Sequence, residues 1–224
     1  ISGIAISPDV TQAKIVSILD TIEDIIQERK DELNRLDNLI KARFVEMFGD
    51  PTNSKNMLRK MHISDFAKVL TGATPKKDIA EYYIDEVPWV KTGEIADGYI
   101  YDTEEYISKR AVRETNCKIL PINSVLVAMY GQGKTRGQSG LLKISAATNQ
   151  ACAAILPNEN YNSLFLLKQL NLQYEQLRIM GRGGNQANLN LDMIKNFIVL
   201  MPGIASQNEF ADFVQQVDKL KFRY

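Results

Sequence analysis

Between Pro8 and Gly49 the chain contains neither glycine nor proline, and apolar side chains recur there at helical spacing. Ile15, Ile22 and Leu36 share one heptad position. Ile18, Ile25 and Leu39 share a second, and Leu19, Ile26, Leu33, Ile40 and Met47 the adjacent one. The spacing predicts one helix over 8–48, with Ser7 as N-cap, Pro8 at the first helical position, and Gly49 and Pro51 as the stop. Such a helix is about 60 Å long at 1.5 Å per residue, longer than a domain of about 150 residues is wide. About a dozen apolar side chains, each worth about 1.5–3 kcal/mol when buried, would otherwise face water. Coiled-coil packing is therefore expected, with Ile15, Ile18, Ile22, Ile25, Leu36, Leu39 and Ile40 as the interface. Arg29 and Arg43 fall within this seam, so the covering helix is expected to bring carboxylates to them.

The two ends of the chain echo each other. Ile4-Ala5-Ile6-Ser7-Pro8 leads into Gln12, Ile15, Ile18, Ile22 and Ile25; Phe197-Ile198-Val199-Leu200-Met201-Pro202 leads into Gln207, Phe210, Phe213, Val217 and Leu220. A short apolar strand, a proline and an amphipathic helix are used twice. Residues 1–7 thus read as the end strand of a preceding unit, 8–48 as a spacer helix, 49–202 as a complete globular unit, and 203–224 as the start of a second helix.

Formal net charge is zero, but its distribution is uneven. Residues 8–48 hold six basic and nine acidic residues, and 76–116 hold six and ten. Residues 117–195 hold eight basic residues against Glu159, Glu175 and Asp192, a balance of +5. One basic region in a neutral chain suits a face presented to a polyanion. No window approaches the roughly 20 apolar residues of a membrane span, and no secretory pattern is visible. A cytoplasmic location is expected, with Cys117 and Cys152 as buried thiols in a reducing compartment. His62 is the only histidine, so no metal site and no cofactor is expected.

Within 51–202, short apolar runs predict strands at 67–70, 87–91, 99–101, 125–130, 141–144, 151–156 and 197–201, with helices at 162–180 and 191–195. The class is α+β, a mixed α/β unit attached to a long coiled-coil-forming helix. Two loops stand out: 131–140, reading Gly-Gln-Gly-Lys-Thr-Arg-Gly-Gln-Ser-Gly, and 181–188, reading Gly-Arg-Gly-Gly-Asn-Gln-Ala-Asn. Glycine permits close approach to a ligand backbone, Lys and Arg meet phosphate oxygens, and Gln, Asn or Arg can bridge base edges. Gly/Asn/Gln loops are often merely turns, but two of them in one basic region favour binding. Candidate DNA contacts here are Gln132, Lys134, Thr135, Arg136, Gln138, Arg182, Asn185, Gln186 and Asn188.

Catalytic motifs fail on inspection. Gly133-Lys134-Thr135 lacks the earlier glycine of a phosphate-binding loop, Ala128 standing in its place, and no helix is expected directly after it. Asp9 and Glu28-Arg29-Lys30 imitate a nuclease signature, but on one helix they are about 28 Å apart and cannot share a metal. No Asn-Pro-Pro-Tyr-like sequence and no nucleophile beside His62 is present. The chain reads as a recognition protein without chemistry of its own.

The segment Leu36-Asp37-Asn38-Leu39-Ile40-Lys41-Ala42-Arg43-Phe44-Val45-Glu46-Met47-Phe48-Gly49-Asp50-Pro51 carries a family likeness. So do Thr71-Gly72-Ala73-Thr74-Pro75, Pro88-Trp89-Val90-Lys91, Gly131-Gln132-Gly133-Lys134, Thr148-Asn149-Gln150 and Gly184-Asn185-Gln186-Ala187-Asn188-Leu189-Asn190. Together and in this order they resemble the specificity subunit of Type I restriction-modification systems. The resemblance implies a target recognition domain for half of a split duplex DNA sequence. It also implies helices that act as spacer and docking surface for modification (methyltransferase) subunits, and through them a restriction subunit. Thr74, Lys76 and Lys91 join the candidate DNA contacts. Only one recognition domain is complete, so the resemblance implies either part of a two-domain subunit or a half-subunit that dimerises. Two other readings are open at this stage: a helical assembly scaffold with a protein-binding globular unit, and the recognition domain of a single-chain restriction and methylation enzyme.

Overall fold

The computed structural model describes residues 9–96, 98–181 and 188–221, with side chains of the first helix from Gln12 onward. The strand expected in 1–7, the Ser7 cap and Pro8 lie outside the described residues. Helix α1 (Asp9–Phe48) is unbroken, as a sequence without glycine or proline predicts. After it come β1 (Lys60–His62), α2 (Ile63–Phe66), β2 (Val69–Thr71), β3 (Val87–Val90), β4 (Tyr99–Ile100), β5 (Tyr106–Ile107) and α3 (Lys109–Glu114). Then follow β6 (Val125–Ala128), β7 (Ser139–Leu142), β8 (Ala147–Thr148), β9 (Cys152–Ile155), α4 (Ser163–Leu172), α5 (Tyr174–Met180), α6 (Leu191–Lys195), β10 (Ile198–Leu200) and α7 (Ile204–Lys221). The class is α+β, as expected.

The central sheet has the order β2-β9-β6-β7-β4. A three-stranded sheet, β5-β3-β8, and the pair β1-β10 flank it. Its middle strands are buried on both faces. Val125 and Val127 point into the core shared with the helices, while Leu126 and Ala128 point into a second cluster with Val90, Ile100, Leu120, Leu142 and Ala154. Two-sided burial explains why these strands read as uninterrupted apolar runs. β7 begins at Ser139, two residues before the strand expected at 141–144, so Ser139 and Gly140 belong to the sheet and not to the loop. The helix expected over 162–180 is two segments meeting at Gln173. The buried amide of Gln173 donates to the carbonyls of Pro51 (3.3 Å) and Ile198 (3.2 Å), tying that junction to β10.

The C-terminal part of α1 belongs to this core. Phe44 and Phe48 pack with Phe165 of α4 and Phe210 of α7, ring centroids 5.1–5.8 Å apart for the pairs that involve them. Ile40 is only 4% exposed in the same cluster, and Leu36 packs against its margin. Within the expected interface, Ile40 is thus covered from within the chain, by side chains of α4 and α7, and Leu36 lies at the edge of that cover. A helix that must enter the domain to dock spends the last turns of its stripe on its own core.

α7 runs antiparallel along this half of α1. Arg43 meets Glu209 at 3.0 Å, Lys221 meets Asp37 at 2.7 Å, and the Arg29 guanidinium donates to the Lys221 carbonyl at 2.6 Å. The carboxylate expected for Arg43 thus comes from within the chain. Asn162 fastens α4 to the start of α7: its side chain accepts from the Leu164 and Phe165 N–H groups, and its own N–H donates to Gln207. Asn162→Ala is expected to cost about 1–2 kcal/mol, read as a lowered midpoint in thermal or denaturant unfolding. An unchanged midpoint would show that the cap contributes nothing.

Candidate nucleic-acid interface

Strand register brings the candidate loops together. Thr71 lies opposite Ala153, Ala128 opposite Cys152, and Val127 opposite Ser139. β2 and β6 therefore end, and β7 and β9 begin, at one end of the central sheet. Residues 72–75, 129–138 and 149–150 all emerge there. The Leu189 N–H donates to the Met129 carbonyl at 3.0 Å, so Leu189 also lies at this end. Arg182, Asn185 and Gln186 lie outside the described residues.

The three motifs Thr71–Pro75, Pro88–Lys91 and Thr148–Gln150, far apart in sequence, form one knot. A Cβ at Gly72 would collide with the Thr148 carbonyl, so only glycine fits there. The Ala73 N–H donates to that carbonyl at 3.0 Å, the Thr148 hydroxyl to the Val90 carbonyl at 2.8 Å, and the Trp89 indole to the Ala73 carbonyl at 3.1 Å. Thr74 is exposed, and its hydroxyl donates to the Gln150 side-chain oxygen. Asn116 and Lys118, more than forty residues from Thr74 in sequence, line a cleft with Thr74 and Gln150. Nothing in the sequence around Lys118 marks it, because only the fold brings it there.

Lys76, Gln132 and Lys134 are exposed, and Thr135, Arg136, Gln138 and Asn188 half-buried. Tyr130, 43% exposed beside Gly131, adds an aromatic surface that the sequence reading passed over. The Arg136 Nε is buried and meets no acceptor among the described residues, an arrangement costing about 1–3 kcal/mol unless an oxygen arrives. Lys91 differs from these. Its ammonium bonds Glu105 at 2.7 Å and approaches Glu104 at 3.6 Å. The Glu105 bond holds it protonated above its ordinary range, against partial burial. The pair is open to solvent on one side, with about a third of the Lys91 side chain exposed (31%).

The other titratable groups serve the frame. Burial, then the bond to Asp218 of α7, pushes the Tyr99 hydroxyl far above its ordinary value. Burial pushes the Cys152 thiol up to about 12, and Cys117 is likewise a buried, free thiol with a raised pKa. Among the described residues there is no cluster of metal-ligating side chains, and no helix is long and apolar enough to cross a membrane.

Comparisons with known proteins agree with this architecture. Residues 57–223 match the family model described as the Type I restriction modification DNA specificity domain. The Type I restriction enzyme EcoR124I/EcoR124II specificity subunit of Escherichia coli is 22% identical over 215 residues, 93% of this chain and 52% of that protein. The MjaIX specificity subunit of Methanocaldococcus jannaschii is 26% identical over 163 residues, 70% of this chain and 37% of that protein. The chain thus spans about half, or less, of the relatives it matches. Among solved structures, the HsdS subunit from Thermoanaerobacter tengcongensis has a TM-score of 0.62 at 14% identity, covering 93% of this chain and 50% of its own. A chain from a study of assembly and conformational transition of the Type I restriction-modification system reaches 0.66 at 15%, covering 96% and 54%. With the family model covering the globular unit and α7, and the fold shared with solved specificity subunits, the chain belongs to the Type I restriction-modification DNA specificity family.

Proposed function

We propose that this chain reads duplex DNA through the loop-bearing end of its central sheet, as one recognition domain of a Type I specificity subunit. The observation that carries the proposal is the convergence there of exposed Lys76, Lys118 and Lys134 with Thr74, Gln132 and Gln150. Strand spacing of about 4.8 Å puts the loop after β2 about 10–14 Å from the loop between β6 and β7, comparable to the roughly 12 Å major groove. In this reading the lysines and Arg136 meet phosphates, and polar side chains between them meet base edges. The recognition domain comprises 49–202, and α1 and α7 are its spacer. Modification subunits dock on those helices and supply the methyl donor and the chemistry, and a restriction subunit joins through them.

Selection of duplexes from a random-sequence pool by the purified chain tests this. Enrichment of a short, defined sequence is expected. Retention of the pool without enrichment, or no retention at low salt, would overturn the reading.

A further inference from the structure

The loop over 129–138 has a support on which its function has to depend. It contains three glycines with positive φ, Gly131 at +151°, Gly133 at +59° and Gly137 at +88°, and such a loop samples many conformations unless held. Two side chains of α5 hold it. The Tyr174 hydroxyl donates to the Lys134 carbonyl at 2.5 Å, fixing the peptide that aims the exposed Lys134 side chain. Arg178 Nη1 donates to the same hydroxyl at 2.7 Å, and its guanidinium lies 5.4 Å from the Tyr174 ring centroid. Gly137 lies flat against this pair: an added Cβ would sit 3.1 Å from Arg178 Cγ and 3.5 Å from the Tyr174 ring. Arg178 Nε is buried without an acceptor among the described residues, so the guanidinium is held by packing and by the tyrosine.

We infer that Tyr174 and Arg178 are positioning residues for DNA discrimination: they hold the Lys134 loop in the one conformation in which it matches base edges. The inference rests on the DNA-reading proposal above. Phosphate contacts tolerate displacement of a lysine, because charge acts over several ångströms and the side chain is long. Base contacts require fixed geometry, so ordering a loose loop on binding is charged against the correct sequence. Loosening the loop should therefore lower affinity for the selected duplex and leave affinity for arbitrary duplexes alone.

The test uses the full chain, the duplex enriched in the selection above, and a random duplex pool as the non-specific probe. Tyr174→Phe removes both hydroxyl bonds and keeps the ring. Arg178→Lys keeps the charge and loses the planar fork. Gly137→Ala disturbs the same contact from the loop side. Each is expected to reduce the ratio of selected-duplex to pool affinity by about five- to tenfold, with pool affinity and its salt dependence near wild type; the thermal midpoint should stay near wild type in Tyr174→Phe and Arg178→Lys and fall in Gly137→Ala, whose φ of +88° strains any side chain. An unchanged ratio in Tyr174→Phe would overturn the inference. So would a fall in both affinities together with the midpoint, the signature of a purely structural role. If the unmodified chain itself shows no discrimination, the DNA-reading proposal fails first, and the inference goes with it.

Discussion

Raising monovalent salt from 50 to 200 mM is expected to lower the affinity of this chain for duplex DNA by about two to three orders of magnitude. The estimate follows from counterion release: a face neutralising about five phosphates gives a slope of log affinity against log salt near −4 to −5. Lys76, Lys118, Lys134 and Arg136 supply described cations at the loop-bearing end, and Arg182 follows α5 in sequence. Lys134→Ala should flatten the slope by about one unit while weakening all duplexes alike. Arg136→Ala should do the same if its guanidinium meets phosphate. If it meets a base edge, it should relax one position of the selected sequence at a cost of about 1–3 kcal/mol. Lys30→Ala, exposed on α1, is the control and should leave the slope unchanged. Binding indifferent to salt, or a slope altered as much by Lys30→Ala as by Lys134→Ala, would remove the proposed face.

The parts of this protein that were legible in its sequence are those governed by periodicity and by glycine. The 40-residue helix announced itself because nothing in it breaks a helix. The central strands announced themselves because burial on both faces makes them apolar throughout. The strands β1, β5 and β8 were not legible. Two or three residues long, they carry too few side chains to show a period, and their pairing is imposed by tertiary contacts. The candidate face was half legible. Its glycine-rich loop at 131–138 could be found from composition, whereas Lys118 and Gln150 come to line one cleft only through the fold. Lys91 shows the opposite case, a residue whose partner its own motif does not reveal. It stands in a motif shared with the family resemblance, yet Glu105 lies fourteen residues away and the bond between them is created by the fold. The resemblance motifs themselves turn out to be structural where they meet, since Gly72, Trp89 and Thr148 hold one another in place.

The same heptad that is covered at Ile40 by the chain itself makes a strong prediction nearer the start of the helix. Described α7 ends at Lys221, beside Arg29. N-terminal to that point Ile15, Ile18, Leu19, Ile22, Ile25 and Ile26 remain 46–59% exposed along about 20 Å of helix. Each is already about half covered, so complete burial is worth on the order of 1 kcal/mol apiece. Six together make several kcal/mol, enough to drive association when the covering surface is another copy of the same stripe. Left as it is, the chain is expected to pair antiparallel through this half of α1, holding two recognition domains apart. In a longer subunit a second spacer helix would occupy the same stripe. Ile22→Asp combined with Ile25→Asp should yield monomers in sedimentation at micromolar concentration, with the unfolding midpoint of the domain unchanged. Ile40→Asp, one helical heptad series with Ile26 but buried among Phe44, Phe165 and Phe210, should instead unfold the domain, because an unpaired carboxylate there has no water and no partner. That contrast separates a stripe used between molecules from one used within the fold. A monomeric unmodified chain across the micromolar range would end the pairing prediction, and equal loss of stability from both changes would show that the exposed half of α1 is held to its own domain in solution.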